Sequence, residues 1–293
     1  MLSVFPCSFR GHVQRLIGIA ALAMLLLGST PRDQGPTQLK PGFNLFTKQQ
    51  DIQLGQEAAA EIRKKVVILK DPVLNAYVNA VGKRLAASRE AKESGFTFTF
   101  EVVADPKINA FALPGGPMFI NTGLLKVVDN EAQLAGVMGH EMSHVILRHG
   151  TNQASKADLI QIPLALAGQL TSSDTLMGQL SQLGIGLGAE SVLLKFSRTD
   201  ESQADLMGSH LMAEAGYDPD ELAKFFEKIK SEDTADAIAF LSDHPNPGNR
   251  SRAIKFEALR LPVQDYGYQT GQFKSMKKAL AAIHEPPPKA HQE

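Results

Sequence analysis

His140-Glu141-Met142-Ser143-His144 is the stretch that decides the fold of this chain. Apolar residues recur around it at helical spacing, at Leu134, Val137, Met138 and Val145. Asp129-Asn130 offers a helix N-cap and Gly150 a helix stop. The pattern therefore predicts a long, apolar helix over Glu131–Arg148 that carries two histidines and a glutamate.

The spacing within this helix predicts a metal site. Four residues turn an α-helix through about 400°, so His140 and His144 share one face, one turn apart. Two imidazoles there can bind one Zn²⁺ at about 2.0–2.1 Å. Glu141 points beside the metal, where it can take a proton from the water that zinc activates. Two surface histidines are the alternative, but histidines on an apolar, buried helix need partners. We expect one zinc ion per chain.

The third ligand must come from elsewhere, because a catalytic zinc usually takes three protein ligands and one water. His149 follows His144 by five residues, about 500° around the helix, and so leaves the shared face. Glu201 and Asp205 lie four residues apart on a second predicted helix, Ser197–Ala215. One could ligate the metal while the other accepts the outer N–H of a ligand histidine. An acidic face exposed to solvent fits the same spacing equally well.

The remaining patterns predict an α+β domain that is mostly helical and has a small sheet. Alternating aromatic and polar residues indicate a strand over 96–102, and two short extended pieces flank a Pro-Gly-Gly-Pro turn at 114–117. These pieces are Asn109–Leu113 and Met118–Asn121. Other helices are expected over Thr47–Lys70, from Pro72 to about Arg89, over Thr122–Val128, after Asp218-Pro219 and after Pro247.

The N-terminus has the layout of a secretory signal. Arg10 and Arg15 precede an apolar run, Leu16 to Leu27, that is short for a membrane span. Residues 1–30 are therefore expected to be a signal peptide, or an anchor that stays and ties the protein to a membrane. The single cysteine, Cys7, precedes the run, so we expect no intramolecular disulfide in the mature chain.

The chain is divided into a linker over 31–47, a domain over 48–262 that carries the predicted zinc site, and a C-terminal helix with a disordered tail over 263–293. The Gly- and Leu-rich residues 159–194 are interpreted as core or groove-lining helices rather than membrane spans. A net charge of −1 gives no electrostatic reason to expect nucleic acid as a partner.

Four motifs in register resemble one protein family. They are NAFALPGG at 109–116, the HEMSH helix ending in Leu147-Arg148-His149, the S-R-x-x-E-x-x-A-D run at 197–205, and His244-Pro245 followed by Arg250. In this order they resemble the gluzincin peptidases, which include HtpX, the CAAX prenyl endopeptidase, mitochondrial Oma-type proteases and periplasmic BepA-like proteases. The likeness covers about residues 48–260 and implies a zincin-type metalloprotease fold.

The resemblance also implies roles that spacing leaves open. It makes Glu201 the third zinc ligand and Asp205 the carboxylate behind a ligand histidine. His244 would face the active site as an oxyanion stabiliser or a switchable extra ligand, and Arg250 would support the site. Residues Asn109, Ala110 and Phe111 would belong to an edge strand that binds extended substrate as an added strand.

We therefore expect a zinc metalloendopeptidase that hydrolyses exported or misfolded proteins, with Zn²⁺ and Glu141 activating water. Unfolded or misassembled envelope proteins are the expected partners, and the bacterial periplasm is the expected location, with or without membrane association. The alternative is a periplasmic chaperone or assembly factor with a self-inhibited metal site, which the apolar 159–194 segment favours. Nothing in the sequence favours a zinc hydrolase of non-peptide amides.

Overall fold

The structure is a computed structural model that describes residues 35–156, 196–245, 248–262 and 264–283. Three sequence predictions lie outside these residues: the signal or anchor over 1–30, the apolar segment 159–194, and the tail from residue 284. Within the described residues, helices surround a small sheet. This confirms the predicted α+β class, mostly helical with few strands.

Among the described residues, three helices precede the sheet: α1 (Lys48–Lys65), α2 (Pro72–Leu85) and α3 (Arg89–Ser94). The prediction that the first helix runs to Lys70 is wrong, because the chain leaves the helix after Lys65. Val66, Val67 and Ile68 are β-branched and favour extended backbone. They continue beside the first strand of the sheet rather than along the helix.

The sheet has three strands: β1 (Thr99–Val103), β2 (Ala110–Ala112) and β3 (Pro117–Asn121). Their order is β1-β3-β2; β1 is parallel to β3 and β2 is antiparallel to it, so β2 lies at an edge. Gly115 and Gly116 turn the chain between β2 and β3 with φ of 79° and 118°. A Cβ on Gly115 would lie 2.5 Å from the Ile52 Cα, so only glycine fits there.

A short helix α4 (Thr122–Val127) leads into the long helix α5 (Glu131–Ile146). The Asn130 side chain caps α5 by accepting a hydrogen bond from the Gln133 N–H at 2.9 Å. The predicted end of this helix is wrong. It stops at Ile146 instead of Arg148. Residues 149–156 are helical again, so Gly150 lies within a helical segment and is not the predicted helix stop.

Arg148 makes the break between α5 and the following helical residues. Its φ of 57° places it in the left-handed region, which is uncommon for a residue with a side chain. Its guanidinium is held on both sides: Nε donates to Asp51 Oδ2 at 2.5 Å and Nη2 donates to the Phe46 carbonyl at 2.6 Å. These contacts stabilise a sharp change of direction directly after the predicted metal helix.

The second half of the domain is helical. Its helices are α6 (Arg198–Glu214), α7 (Asp220–Ser231), α8 (Ala235–Asp243), α9 (Arg250–Ala258) and α10 (Phe273–Ala282). Ser197 and Asp200 form a capping box at the start of α6. Helix α8 has no counterpart among the sequence predictions. Helix α10 lies within residues 263–293.

Helices α5 and α6 approach each other closely through glycines. A Cβ on Gly208 of α6 would lie 3.1 Å from the His140 backbone N, and one on Gly139 would lie 3.3 Å from the Gly208 carbonyl. The absence of these side chains lets the two backbones meet beside His140. Side chains on α6 therefore reach the histidine face of α5.

The core lies around α5 and joins both halves of the domain. Its members include fully buried side chains from α2, β3, α5, α6 and α7, such as Tyr77, Ile120, Leu134, Leu211 and Phe225. Among the described residues, we find no helix that combines the length and the hydropathy needed to cross a bilayer.

Candidate metal and active site

The two motif histidines meet in the interior. His140 and His144 lie one turn apart on α5, and both side chains are buried. Their Nε2 atoms are 3.1 Å from each other and face the same point. The predicted shared face is therefore present in the folded chain.

Glu201 completes this group from α6. Its Oε2 lies 3.4 Å from His140 Nε2 and its Oε1 lies 3.4 Å from His144 Nε2. The Glu201 side chain is fully buried, so it does not belong to an acidic face exposed to solvent. Ligands placed tetrahedrally about 2.0–2.1 Å from zinc lie about 3.3–3.4 Å from one another, close to these three distances.

Buried polar atoms without partners converge on the same point. Glu141 Oε1, Glu201 Oε1 and His244 Nδ1 are buried and form no hydrogen bond within the described residues. Unpaired buried polar atoms cost folding free energy, about 1–3 kcal/mol each and more when charged. Two imidazoles and a carboxylate that converge on one point form a donor set that fits Zn²⁺. His140, His144, Glu201 and His244 form one group, with a ligand atom from each within 4.8 Å of the others.

His140 is supported from behind by a charged network. Its Nδ1 lies 3.0 Å from Asp205 Oδ1. Arg250 donates to both oxygens of this carboxylate, through Nη2 at 2.7 Å and Nε at 3.0 Å, and reaches Glu201 Oε2 at 3.3 Å. The Arg250 guanidinium also stacks on Phe226 at 3.4 Å. Asp205 thus lies against His140, and Arg250 contacts both Asp205 and Glu201.

His144 is supported differently, by residues that the sequence analysis did not select. Its Nδ1 lies 3.0 Å from His149 Nδ1, and His149 Nε2 lies 3.1 Å from Gln203 Oε1. The Phe196 ring stacks on the His144 ring, with centroids 3.8 Å apart. His149 was excluded as a ligand on the assumption of one continuous helix. The helix ends before Arg148, and the changed chain direction places the His149 ring against the His144 ring.

The surroundings of His140 and His144 shift the pKa values of these two histidines in opposite directions. Burial lowers the pKa of His140, but the carboxylates of Glu201 and Asp205 outweigh burial and raise that pKa to about 10. At His144 burial prevails and lowers the pKa well below its ordinary value. Burial opposes ionisation of Glu201, yet the neighbouring histidines lower its pKa and keep it a carboxylate.

Glu141 lies between the metal group and the sheet edge. It is buried, and burial raises the pKa of its carboxyl, against the opposing effect of His244 and His140. A backbone hydrogen bond from Ala112 of β2 acts in the same lowering direction. Its Oε1 is 3.5 Å from His244 Nε2. Glu141 is thus within reach of both the ligand group and the strand predicted to bind substrate.

His244 enters the site from the end of α8. It is the C-cap residue of that helix, and its Nδ1 lies 3.6 Å from Glu201 Oε1. The Arg250 Nη1 lies 3.5 Å from the His244 carbonyl. One imidazole therefore contacts both Glu141 and Glu201, which is compatible with either role that the resemblance implies.

The predicted substrate residues lie on the edge strand β2 or directly before it. The Asn109 carbonyl accepts from the Asn121 N–H, and Phe111 is paired with Phe119 of β3. Because backbone groups alternate in direction along an antiparallel strand, those of Ala110 and Ala112 point away from β3. Ala112 was outside the predicted set, although its N–H faces Glu141.

The fold and the site together define the class of zincin-type hydrolases, in which an HExxH helix carries two metal-binding histidines and a catalytic glutamate. Residues 57–258 match the profile of Peptidase family M48. This match covers more than half of the chain, which therefore belongs to peptidase family M48. The resemblance drawn from the four sequence motifs is confirmed.

Relatives fall into bacterial and mitochondrial groups. The chain is 30% identical over 208 residues to the "Beta-barrel assembly-enhancing protease" of Escherichia coli (strain K12), which covers 69% of this chain and 42% of that protein. It is 34% identical over 181 residues to the "Mitochondrial metalloendopeptidase OMA1" of Schizosaccharomyces pombe, covering 61% and 51%. The matched region therefore spans about half or less of each relative.

Proposed function

We propose that the chain is a zinc-dependent endopeptidase that hydrolyses peptide bonds within unfolded or misassembled proteins. The observation that carries the proposal is the convergence of His140, His144 and Glu201, with Glu141 beside them and an edge strand next to Glu141. Membership of a peptidase family supports it. A bound zinc ion would polarise the scissile carbonyl and acidify the attacking water.

Glu141 acts as the general base of this proposal. It accepts a proton from the attacking water and later passes it to the leaving amine. The raised pKa of its buried carboxyl makes it a stronger base than an exposed glutamate. His244 lies 3.5 Å from Glu141, where its ring N–H can stabilise the developing oxyanion or its lone pair can serve as an extra ligand.

The substrate is proposed to bind as an extended strand along β2. The backbone groups of Ala110 and the carbonyl of Ala112 point away from β3, in the direction from which a fourth strand would pair, while the Ala112 N–H bonds to Glu141. Asn109 and Phe111 hold β2 against β3 and so keep this edge in place. A strand bound there passes Glu141, because Ala112 contacts it. Recognition through the backbone suits a protease that acts on many sequences.

A casein digest by the full chain tests the activity. Glu141→Gln should lower the rate by at least about a hundredfold, because general-base catalysis contributes about 10²–10⁴. Zinc content should remain at the wild-type level in this variant. Glu61→Gln, at an exposed glutamate of α1, is the matched control and should cleave like wild type. Equal cleavage by wild type and Glu141→Gln would end the proposal.

Metal analysis tests the ligand set independently of activity. Purified wild type should carry one zinc per chain, and Glu201→Ala should lose most of it. Glu214→Ala, at the half-exposed end of the same helix, should keep it. Full zinc occupancy in Glu201→Ala would exclude Glu201 as the third ligand.

We propose export to the bacterial periplasm, with residues 1–30 as the signal or anchor and residues 31–47 linking it to a protease domain over 48–262. Support comes from the basic and apolar pattern of the N-terminus and from the name of the bacterial relative, which refers to β-barrel assembly. The name of the Schizosaccharomyces pombe relative instead refers to mitochondria, so location is tested separately. Fractionation of cells that express the full chain checks it; recovery in the cytosol would contradict export.

A second candidate is an assembly factor whose metal site is closed. It is favoured by His244, which lies close enough to join the other three ligands. In that case Glu141→Gln should rescue a deletion strain as well as wild type does. Failure of this variant to rescue would exclude the non-enzymatic role.

A further inference from the structure

His149 is a buried histidine that the proposed catalytic steps leave unused. Its relative solvent exposure is 3%, and both ring nitrogens have partners within the protein. Nδ1 faces His144 Nδ1 at 3.0 Å, and Nε2 faces Gln203 Oε1 at 3.1 Å. His149 therefore joins a proposed ligand on α5 to a residue two positions from Glu201 on α6.

The proton positions along this chain have one consistent assignment, which rests on the proposed zinc site. If His144 offers Nε2 to the metal, its neutral ring carries the proton on Nδ1. His149 Nδ1 must then accept a hydrogen bond from the His144 Nδ1–H, so the His149 ring carries its own proton on Nε2. Gln203 Oε1 is an acceptor, as that arrangement requires.

We propose that His149 is a positioning residue that fixes the tautomer and ring orientation of His144 and thereby strengthens metal binding. A ligand histidine whose outer N–H has a partner cannot rotate freely or place its proton on the metal-facing nitrogen. The partner here is a neutral imidazole, anchored in turn by Gln203.

The break after α5 makes this contact available. On a continuous helix His149 would point about 500° around from His144. The left-handed Arg148, held by Asp51 and the Phe46 carbonyl, redirects the chain so that the two rings meet edge to face at 5.0 Å. The left-handed backbone of Arg148 thus places His149 against the proposed ligand His144.

Zinc affinity of the full chain, measured by competition with a chromophoric chelator, tests the role. His149→Leu removes the acceptor and should weaken zinc binding by about 10–100-fold. His149→Asn can present a carbonyl oxygen near the position of Nδ1 and should stay within about fivefold of wild type, if acceptance is what matters. His210→Leu is the matched control. It removes another buried histidine of α6, which is hydrogen-bonded to Glu257 of α9 and lies outside the metal group, and should leave zinc affinity unchanged.

A spectroscopic measurement on wild-type zinc protein needs no variant. Long-range ¹H–¹⁵N correlation of the histidine rings should show the proton of His144 on Nδ1 and that of His149 on Nε2. A proton on His149 Nδ1, or equal zinc affinity in His149→Leu and wild type, would overturn the inference alone. Wild-type protein that binds no zinc would instead overturn the proposed function and this inference with it.

Discussion

The two histidines of the HEMSH motif are held from behind in different ways. Behind His140 stand a carboxylate and a guanidinium, Asp205 and Arg250; behind His144 stand an imidazole and an amide, His149 and Gln203. A carboxylate raises the basicity of a ligand histidine, whereas a neutral acceptor mainly orients the ring.

The difference reflects the limited charge that a buried site tolerates. Glu141, Glu201 and Asp205 already place three carboxylates around the two histidines, against one guanidinium, and a fourth, Asp200, is buried 3.9 Å from His149. A further carboxylate directly against His144 Nδ1 would add another buried negative charge, which is costly unless paired. A neutral pair of side chains orients the second ligand without that cost. Four measurements test whether the two sides differ as described.

The largest effect is expected from Arg250→Met, which breaks the charged side. Asp205 would lose its cation while buried, so we expect the free energy of unfolding of the zinc-free protein to fall by about 3–5 kcal/mol. Urea denaturation measures it. Arg63→Met, at a half-exposed pair with Glu101, is the matched control and should cost under about 1 kcal/mol. Similar losses in both variants would mean that Arg250 has no special role.

Removal of zinc should destabilise the folded protein, because His140 and His144 both lose the ion that joins them. Ligand binding to the folded state alone stabilises it by about 4 kcal/mol when free ligand is 1,000 times Kd. The melting temperature should therefore drop on chelation and return when zinc is added. Glu201→Ala should not respond to either treatment; an equal response there would contradict the proposed ligand set.

Asp205→Asn should remove the charge but keep an acceptor for His140. We expect zinc affinity to fall by about 10–100-fold, since carboxylate partners of ligand histidines commonly contribute that much. Asp200→Asn changes a carboxylate on the same helix that lies 3.9 Å from His149 on the neutral side. Its zinc affinity should stay close to wild type. A larger loss of zinc affinity in Asp200→Asn than in Asp205→Asn would contradict the assignment of Asp205 as the stronger support.

Gln203→Leu should have the smallest effect. It removes the outer acceptor of the neutral side, one residue further from the metal, so we expect a loss below about threefold in zinc affinity. Gln203→Asn retains an uncharged amide acceptor and is the control. If Gln203→Leu weakened zinc binding more than Asp205→Asn does, the neutral side would be the stronger support.

Much of the site could be predicted because helical periodicity is local. The four-residue spacing of His140 and His144 was enough to place both on one face. Glu201 and Asp205 were ambiguous by spacing and needed the family resemblance, because no local pattern tells which helices meet. The glycines Gly139 and Gly208 that allow this meeting lie on different helices, 69 positions apart.

The errors share a cause. The predicted ends at Lys70 and Arg148 assumed that a helical pattern continues until a glycine or proline stops it. In the structure, β-branched residues ended the first helix, and side-chain contacts of Arg148 with Asp51 and Phe46 ended α5. The α8 helix, which delivers His244, was missed because its nine residues carry no strong stop or start signal beyond Thr234.

By itself, the sequence determined the HEMSH helix, the zincin-type class and the expectation of a metal, because these depend on spacing within one element and on motifs in order. Only the tertiary structure decided that His149 meets His144, that Ala112 faces Glu141, and that one ligand has a charged support and the other a neutral one. Such contacts depend on how distant segments pack, and packing free energy is not encoded in the periodicity of any single segment.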